Sequence, residues 1–219
     1  MLDTLSIMAE TATSDLNARI AERVWELRAA RGLSMDALAG RSGVSRSMIS
    51  LIERGECSPT AVVLERLAAG LSVTLPSLFD APASAPSAHR RGKPATGGRA
   101  QSGPVARRQD QPEWRDPESG YRRRNVSPPH VPQPMQIVEV HFPPRGRVAF
   151  ETGERDLRVH QQVWVLRGAI DVTVGTERHR LREGDCLAME LGRPTVFHNP
   201  TRKPARYAVV MVSGTSSRR

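Results

Sequence analysis

Apolar positions follow a helical period over residues 15–80 and a strand period from about residue 112 onward. In the first stretch Leu16, Ile20, Val24 and Leu27 fall three or four apart, one face of a helix capped by Ser14 and running to about Arg31. Gly32 ends it. Ser34 caps a second short helix, "MDALAGRS", with Leu38 as its core contact. A tight turn at Gly43-Val44 follows, and Ser45 caps a third helix, "RSMISLIER", with Ile49 and Ile52 facing inward. Gly55 closes that helix. Ser58-Pro59 opens a fourth, with the proline at the first helical position and Val63, Leu64 and Leu67 on its apolar face. "SVTLPSLF" predicts a short fifth helix through Leu75, Leu78 and Phe79. The pattern gives a five-helix bundle over 15–80, with residues 1–14 disordered before it.

The second stretch alternates. "PMQIVEVHFPPRGRVAF" predicts two strands around Pro143-Pro144-Arg145-Gly146, and "HQQVWVLRGAIDVTVG" two more turning at Arg167-Gly168. "ERHRLREGDCLAME" supplies a pair around Glu183-Gly184-Asp185, and "GRPTVFHNPTRKPARYAVVMVS" a last pair around Asn199-Pro200. Eight or so short strands with such frequent turns predict an antiparallel jelly roll or barrel over 112–219. Between the two parts, residues 81–111 are rich in Ala, Pro, Gly, Ser and Arg and have almost no large apolar residue. They cannot bury enough to order themselves and are read as a flexible linker. Trypsin is expected to cut there, at Arg90, Arg91, Arg99, Arg107 and Arg108, leaving two stable fragments. The expected class is a multidomain α plus β protein without internal repeats.

Composition narrows the picture. The chain has 219 residues, 38% hydrophobic content and a mean hydropathy of −0.43, as for a soluble protein. No apolar run is long enough to cross a membrane, and the first residues lack the basic and apolar regions of a signal peptide. Cys57 and Cys186 are far apart, without metal-type spacing, which favours a reducing cytoplasm. The net charge is +9, unevenly spread. Residues 1–80 hold eight basic and ten acidic side chains, 81–135 ten and four, and 136–219 fourteen and nine. The surplus suits a polyanionic partner, although arginine-rich surfaces also occur without one.

Two short helices joined by a glycine turn, the second opening on small polar residues, form helix-turn-helix geometry, whose bland alternative is an ordinary bundle. The string "LRAARGLSMDALAGRSGVSRSMISLIERGECSPTAVVLERLAAGLSVTLPSLF" resembles the Cro/C1-type (XRE) helix-turn-helix family. Gly32-Leu33-Ser34, Leu38-Ala39, Gly43-Val44-Ser45, Ile49-Ser50, Glu53-Arg54-Gly55 and Pro59-Thr60 carry the likeness. Met35 departs from it where the family often has a phosphate-touching glutamine. The resemblance implies that Ser45, Arg46, Ser47, Ser50 and Leu51 face the major groove or its rim. Arg46 could fork onto a guanine edge, Ser47 could bond to any base and Leu51 could touch a thymine methyl. Arg41 and Arg54 are either phosphate contacts or part of a solvated face. Arg28 and Glu53 match a partly buried ion pair of the family, and their reading is scaffold.

"VWVLRGAIDVTVG", "HRLREGDCLAM" and "RPTVFHNPTRKPARY" resemble the cupin family over roughly 112–215, anchored by the Gly168 and Gly184-Asp185 turns. "EWRDPESGYRRRNVSPP" also resembles the front of the cupin part in regulators that fuse the two domains. An unrelated small β-sandwich is the alternative. In metal-binding cupins two alternate histidines, a glutamate and a later histidine hold the ion. Counted from Gly168 and Asn199, those positions here are Arg155, Leu157, Gln161 and Thr195. A metal needs at least three good donors, which these do not supply. His160 lies one residue from Gln161, and His198 three from Thr195. If Gln161 and Thr195 face inward, strand parity turns both histidines outward unless a bulge intervenes. Gln161, Val163, Val165, Thr195 and Phe197 are therefore expected to line a metal-free pocket, or else to be plain core.

The expected function is a non-enzymatic, sequence-specific transcriptional regulator that binds a double-stranded DNA operator. It would be cytoplasmic and homodimeric through its cupin, with no cofactor or membrane partner, and would sense an unknown small-molecule effector. The alternatives are a cupin that only dimerises the DNA-binding head, and a metal-dependent cupin enzyme fused to one.

Overall fold

The computed structural model describes residues 3–80, 103–129, 135–151 and 158–214, so most of the expected linker and the positions of Arg155 and Leu157 lie outside the described residues. Helix α1 spans Asp3–Ala30, α2 Met35–Ser42, α3 Arg46–Glu53 and α4 Ala61–Gly70. Ser14 lies inside α1 and does not cap it, so the backbone from Asp3 is helical where disorder was expected. Neither Gly nor Pro interrupts residues 3–31, and half of residues 3–12 are the good helix formers Leu, Met, Ala and Glu. The fourth helix starts two residues later than Ser58-Pro59 suggests. Thr60 is its cap, accepting from the Val63 amide at 3.4 Å. In place of a fifth α-helix there is one 3₁₀ turn, Leu75–Leu78. Only i→i−3 bonds fit there, Ser77 N to Thr74 O and Phe79 N to Pro76 O, both 3.0 Å, before Leu78 and Phe79 enter the core.

Two serine caps set the helix-turn-helix unit. Ser34 accepts from the Ala37 amide at 3.1 Å and Ser45 from Met48 at 3.2 Å, each satisfying one orphan N–H. Gly43, at φ +67°, ends α2 in the left-handed conformation that turns the chain into α3. The Ser42 hydroxyl is buried, donating to Leu38 O at 2.7 Å and accepting from Val44 N at 3.2 Å. Ile20, Val24, Leu38, Ile49, Ile52, Leu64 and Leu67 converge beneath, each at most 1% exposed.

Ten strands follow: β1 Glu113–Arg115, β2 Arg122–Asn125, β3 Met135–Phe142, β4 Arg147–Phe150, β5 Arg158–Arg167, β6 Ala169–Val174, β7 Glu177–Arg182, β8 Cys186–Glu190, β9 Thr195–His198 and β10 Ala205–Gly214. They form a six-stranded sheet, β1-β2-β3-β10-β5-β8, facing a four-stranded sheet, β4-β9-β6-β7. This is a jelly-roll sandwich, not a closed barrel. Each expected strand pair is divided between the sheets, because the chain turns a corner between layers and forms no hairpin there. Gly168 makes one such corner at φ +83°, and a Cβ on it would lie 3.1 Å from Pro204 O.

The two parts pack directly against each other. Asp116, after β1, accepts through Oδ1 from the Ala61 amide at the start of α4, 2.8 Å away. Asn125 of β2 donates through Nδ2 to Pro76 O at 3.1 Å. Trp114, 2% exposed, meets Phe79 with ring centroids 5.9 Å apart. One continuous apolar core thus runs from Leu16 to Met211.

Gly168→Ala is expected to lower stability by about 1–3 kcal/mol, from the left-handed backbone and the close carbonyl together. Chemical denaturation checks this, and an unchanged midpoint would show that the corner tolerates a side chain.

Candidate DNA-binding face and ligand cavity

The first turn of α3 is exposed and its opposite side buried. Ser45, Arg46 and Ser47 all point to solvent, while Ile49 and Ile52 lie in the core. Ser50 and Leu51, one turn on, are half-buried. The Arg46 guanidinium lies 3.4 Å from Asp36 in an exposed pair. Arg54 forks onto Glu56 at 2.7 and 2.8 Å and also donates to Ser50; the hydrogen bond raises the Arg54 pKa and lowers that of Glu56. Arg41 is exposed and donates to Ser72 Oγ at 3.1 Å. Arg54 thus caps the end of α3 and is tied to it through Ser50, while Arg41 is tied to Ser72 beyond α4.

Arg28 and Glu53 form the pair read as scaffold. Two bonds of 2.6 and 2.8 Å join them, and Arg28 Nη1 also donates to Leu33 O at 2.9 Å. The bonds to Glu53 raise the Arg28 pKa against the effect of burial. The pair ties the end of α1 to the end of α3 and fixes the angle at which α3 is presented.

Between the two sheets lies a cavity of about 70 Å³. Gln161, Thr195 and Phe197 line it, as the alternation along β5 and β9 requires. Val163 and Val165 point inward too, but they are 0% exposed and absent from the lining. Neighbouring side chains cover them completely, so they are core and not pocket. Sequence reasoning missed other lining groups: Tyr121 and Arg123 of the β2 segment, Tyr207 of β10, and Glu65 and Leu75 from the helical domain. One signal was present. In "YRRRN" an inward period of two runs through Tyr121, Arg123 and Asn125, an unusual place for an arginine. Burial of the phenols pushes the Tyr121 and Tyr207 pKa values well up, keeping both hydroxyls neutral.

The residues present do not fit the metal of this fold. Gln161 and Thr195 are inside, 6% and 2% exposed. His160 is on the outer face, 3.3 Å from Glu190, and His198 lies 3.9 Å from Asp171. Among the described residues no three His, Cys, Asp or Glu side chains come together as a metal cluster. A neutral amide and a hydroxyl are a poor donor set for a transition metal.

Comparison with known proteins agrees with this division. Residues 19–80 match a helix-turn-helix domain family and residues 138–212 a cupin domain family. The HTH-type transcriptional regulator SutR of Escherichia coli (strain K12) is 43% identical over 60 residues, 27% of this chain and 34% of that protein. The chain thus spans about a third of the length of that curated relative. The crystal structure of an HTH_3 family transcriptional regulator from Vibrio cholerae superposes with a TM-score of 0.69 at 22% identity, over 91% of this chain and 98% of that one. It shares the fold across both domains. The cupin domain of an XRE family transcriptional regulator from Enterobacter cloacae gives 0.38 at 13% identity, over 42% of this chain and 95% of that one.

Purified protein is expected to hold well under one equivalent of Fe, Mn, Zn, Ni or Cu, with a melting temperature indifferent to chelator. Elemental analysis checks it. Stoichiometric metal that survives dialysis would mean that other residues complete a site around Gln161 and Thr195.

Proposed function

A chain that joins an XRE-type helix-turn-helix domain to a cupin domain is, we propose, a sequence-specific transcriptional regulator that binds double-stranded DNA and senses a small molecule without metal. The observation that carries this reading is the first turn of α3, exposed on one side and locked into the core on the other. A recognition helix enters the major groove by that end. The exposed Arg46–Asp36 pair is worth at most about 1 kcal/mol, less than the ~1–3 kcal/mol of a bidentate guanine contact, so Arg46 can exchange one for the other. In this reading Arg41 and Arg54 meet phosphates, and Ser45, Ser47, Ser50 and Leu51 meet bases or their rim.

The helical domain, residues 15–80, carries eight acidic and eight basic side chains, so one head gains little non-specific attraction from DNA. Two heads on one operator would offset this, and we read the protein as a homodimer acting in the cytoplasm. Trp164, Met135 and Val212 support that reading. They are 49%, 43% and 39% exposed on the outer face of the six-stranded sheet, an apolar strip a second cupin could cover. A regulator reading is preferred to an enzymatic one because, among the described residues, no three His, Cys, Asp or Glu side chains gather as a metal cluster in the cavity.

Genomic footprinting supplies the operator on which this is tested. Arg46→Ala is expected to weaken specific binding roughly 10- to 100-fold per half-site and to relax preference at one base position. Arg41→Ala, as a phosphate contact, weakens all sequences alike and flattens the salt dependence by about one unit. Binding to single-base operator variants decides it. An unchanged preference profile in Arg46→Ala would remove Arg46 from the base-reading set, and no preferred site at all would overturn the regulator reading.

A further inference from the structure

Arg123 is engaged by Tyr121 and Glu65 and still keeps open hydrogen-bond donors at a buried position. Its side chain comes from β2 into the cavity and is 7% exposed, yet Nε and Nη2 have no hydrogen-bond partner. Burial lowers its pKa, and nearby Tyr121, Glu65 and Tyr207 oppose that lowering. Leaving a buried guanidinium short of acceptors costs stability. A guanidinium's remaining donors match two oxygens of a carboxylate. Around it stand neutral hydroxyls of Tyr121 and Tyr207, the Gln161 amide and the apolar Val140, Phe197 and Met211. At about 30 Å³ per water the cavity of about 70 Å³ is roughly two waters' worth of space, which limits a ligand to a few heavy atoms.

We propose that the cavity binds a short organic carboxylate, its charged end on Arg123 and its apolar end among Val140, Phe197 and Met211, and that Glu65 of α4 couples this binding to the DNA-binding domain. The proposal rests on the sensing role given above and names the ligand class and the wiring. Glu65 and Leu75 belong to the helical domain yet wall the same cavity. A bound carboxylate brings a second negative charge beside Glu65 and draws on the guanidinium whose charge Glu65 supports. Like charges sharing one cavity disfavour each other, so the ligand loosens α4 against the cupin. By reciprocity, whatever displaces α4 favours the ligand.

The test uses the full chain and a panel of probes: butyrate, isovalerate, pyruvate and lactate, each beside its neutral amide, with butylamine as the cation. Thermal melts at millimolar probe concentrations are expected to rise with at least one carboxylate and not with its amide. Arg123→Gln abolishes that rise. Arg123→Met, tested without any probe, is expected to melt at or above the native temperature, because it removes a buried charge that lacks acceptors. Glu65→Gln tightens the same carboxylate by about fivefold or more in calorimetric titration. A lower melting temperature in Arg123→Met would show the arginine to be a structural pillar and overturn the proposal. So would a panel without any carboxylate shift. If amides or the amine stabilise instead, sensing stands and the anion class falls. If no probe of any charge moves the melt, the sensing role falls with it. An unchanged affinity in Glu65→Gln overturns the coupling alone.

Discussion

Asp116 capping α4 is the contact on which the arrangement of the whole molecule turns. The Oδ1 that receives the Ala61 amide comes from the loop after β1, so a helix of one domain is completed by a side chain of the other. A capping contact of this kind is worth about 1 kcal/mol, and a carboxylate at a helix N-terminus adds the favourable dipole term. Ser119 holds the same carboxylate from the other side, its amide donating to Oδ2 at 2.7 Å. Beside it Trp114 is almost fully buried against Phe79. An aromatic side chain this size brings several times the energy of the cap. The cap fixes direction and the tryptophan supplies most of the energy.

From that joint an unbroken line of ring contacts enters the cupin. Trp114 meets Tyr121 at 5.8 Å, Tyr121 meets Phe142 at 6.0 Å, and Phe142 meets Tyr207 at 6.1 Å. Tyr207 stacks on Phe197 at 5.9 Å. The strand that carries Tyr121 also carries Arg123 into the cavity and Asn125 onto the Pro76 carbonyl. One short segment therefore walls the cavity and grips the helical domain. Close-packed side chains transmit displacement because they have no slack. The orphaned Trp114 Nε1 and Arg123 nitrogens lie on this line, where stability has been given up.

Much of this was legible in the chain. The four-helix frame, its serine caps at Ser34 and Ser45, the Arg28–Glu53 pair and the inward faces of Gln161 and Thr195 follow from local rules of period and capping. What was not legible is non-local. A turn such as Arg167-Gly168 reads the same whether the chain makes a hairpin or a corner between sheets, so the jelly roll was expected but not that each strand pair divides between two sheets and leaves the barrel open. Val163 and Val165 obey the inward parity, but parity does not say where packing leaves a void. The segment 113–125 was placed at the front of the cupin by resemblance alone, and its strands and the inward Arg123 were not foreseen. The second capping contact on α4, beside Thr60, was invisible because Asp116 lies 55 positions away.

Scanning calorimetry of the full chain tests the shared core most directly. A single transition is predicted, with calorimetric and van't Hoff enthalpies equal, because the helical and cupin parts cannot unfold separately while Trp114 and Asp116 join them. Trp114→Ala combined with Asp116→Ala should split it in two. Two transitions in the native protein, unmoved by those substitutions, would contradict the account.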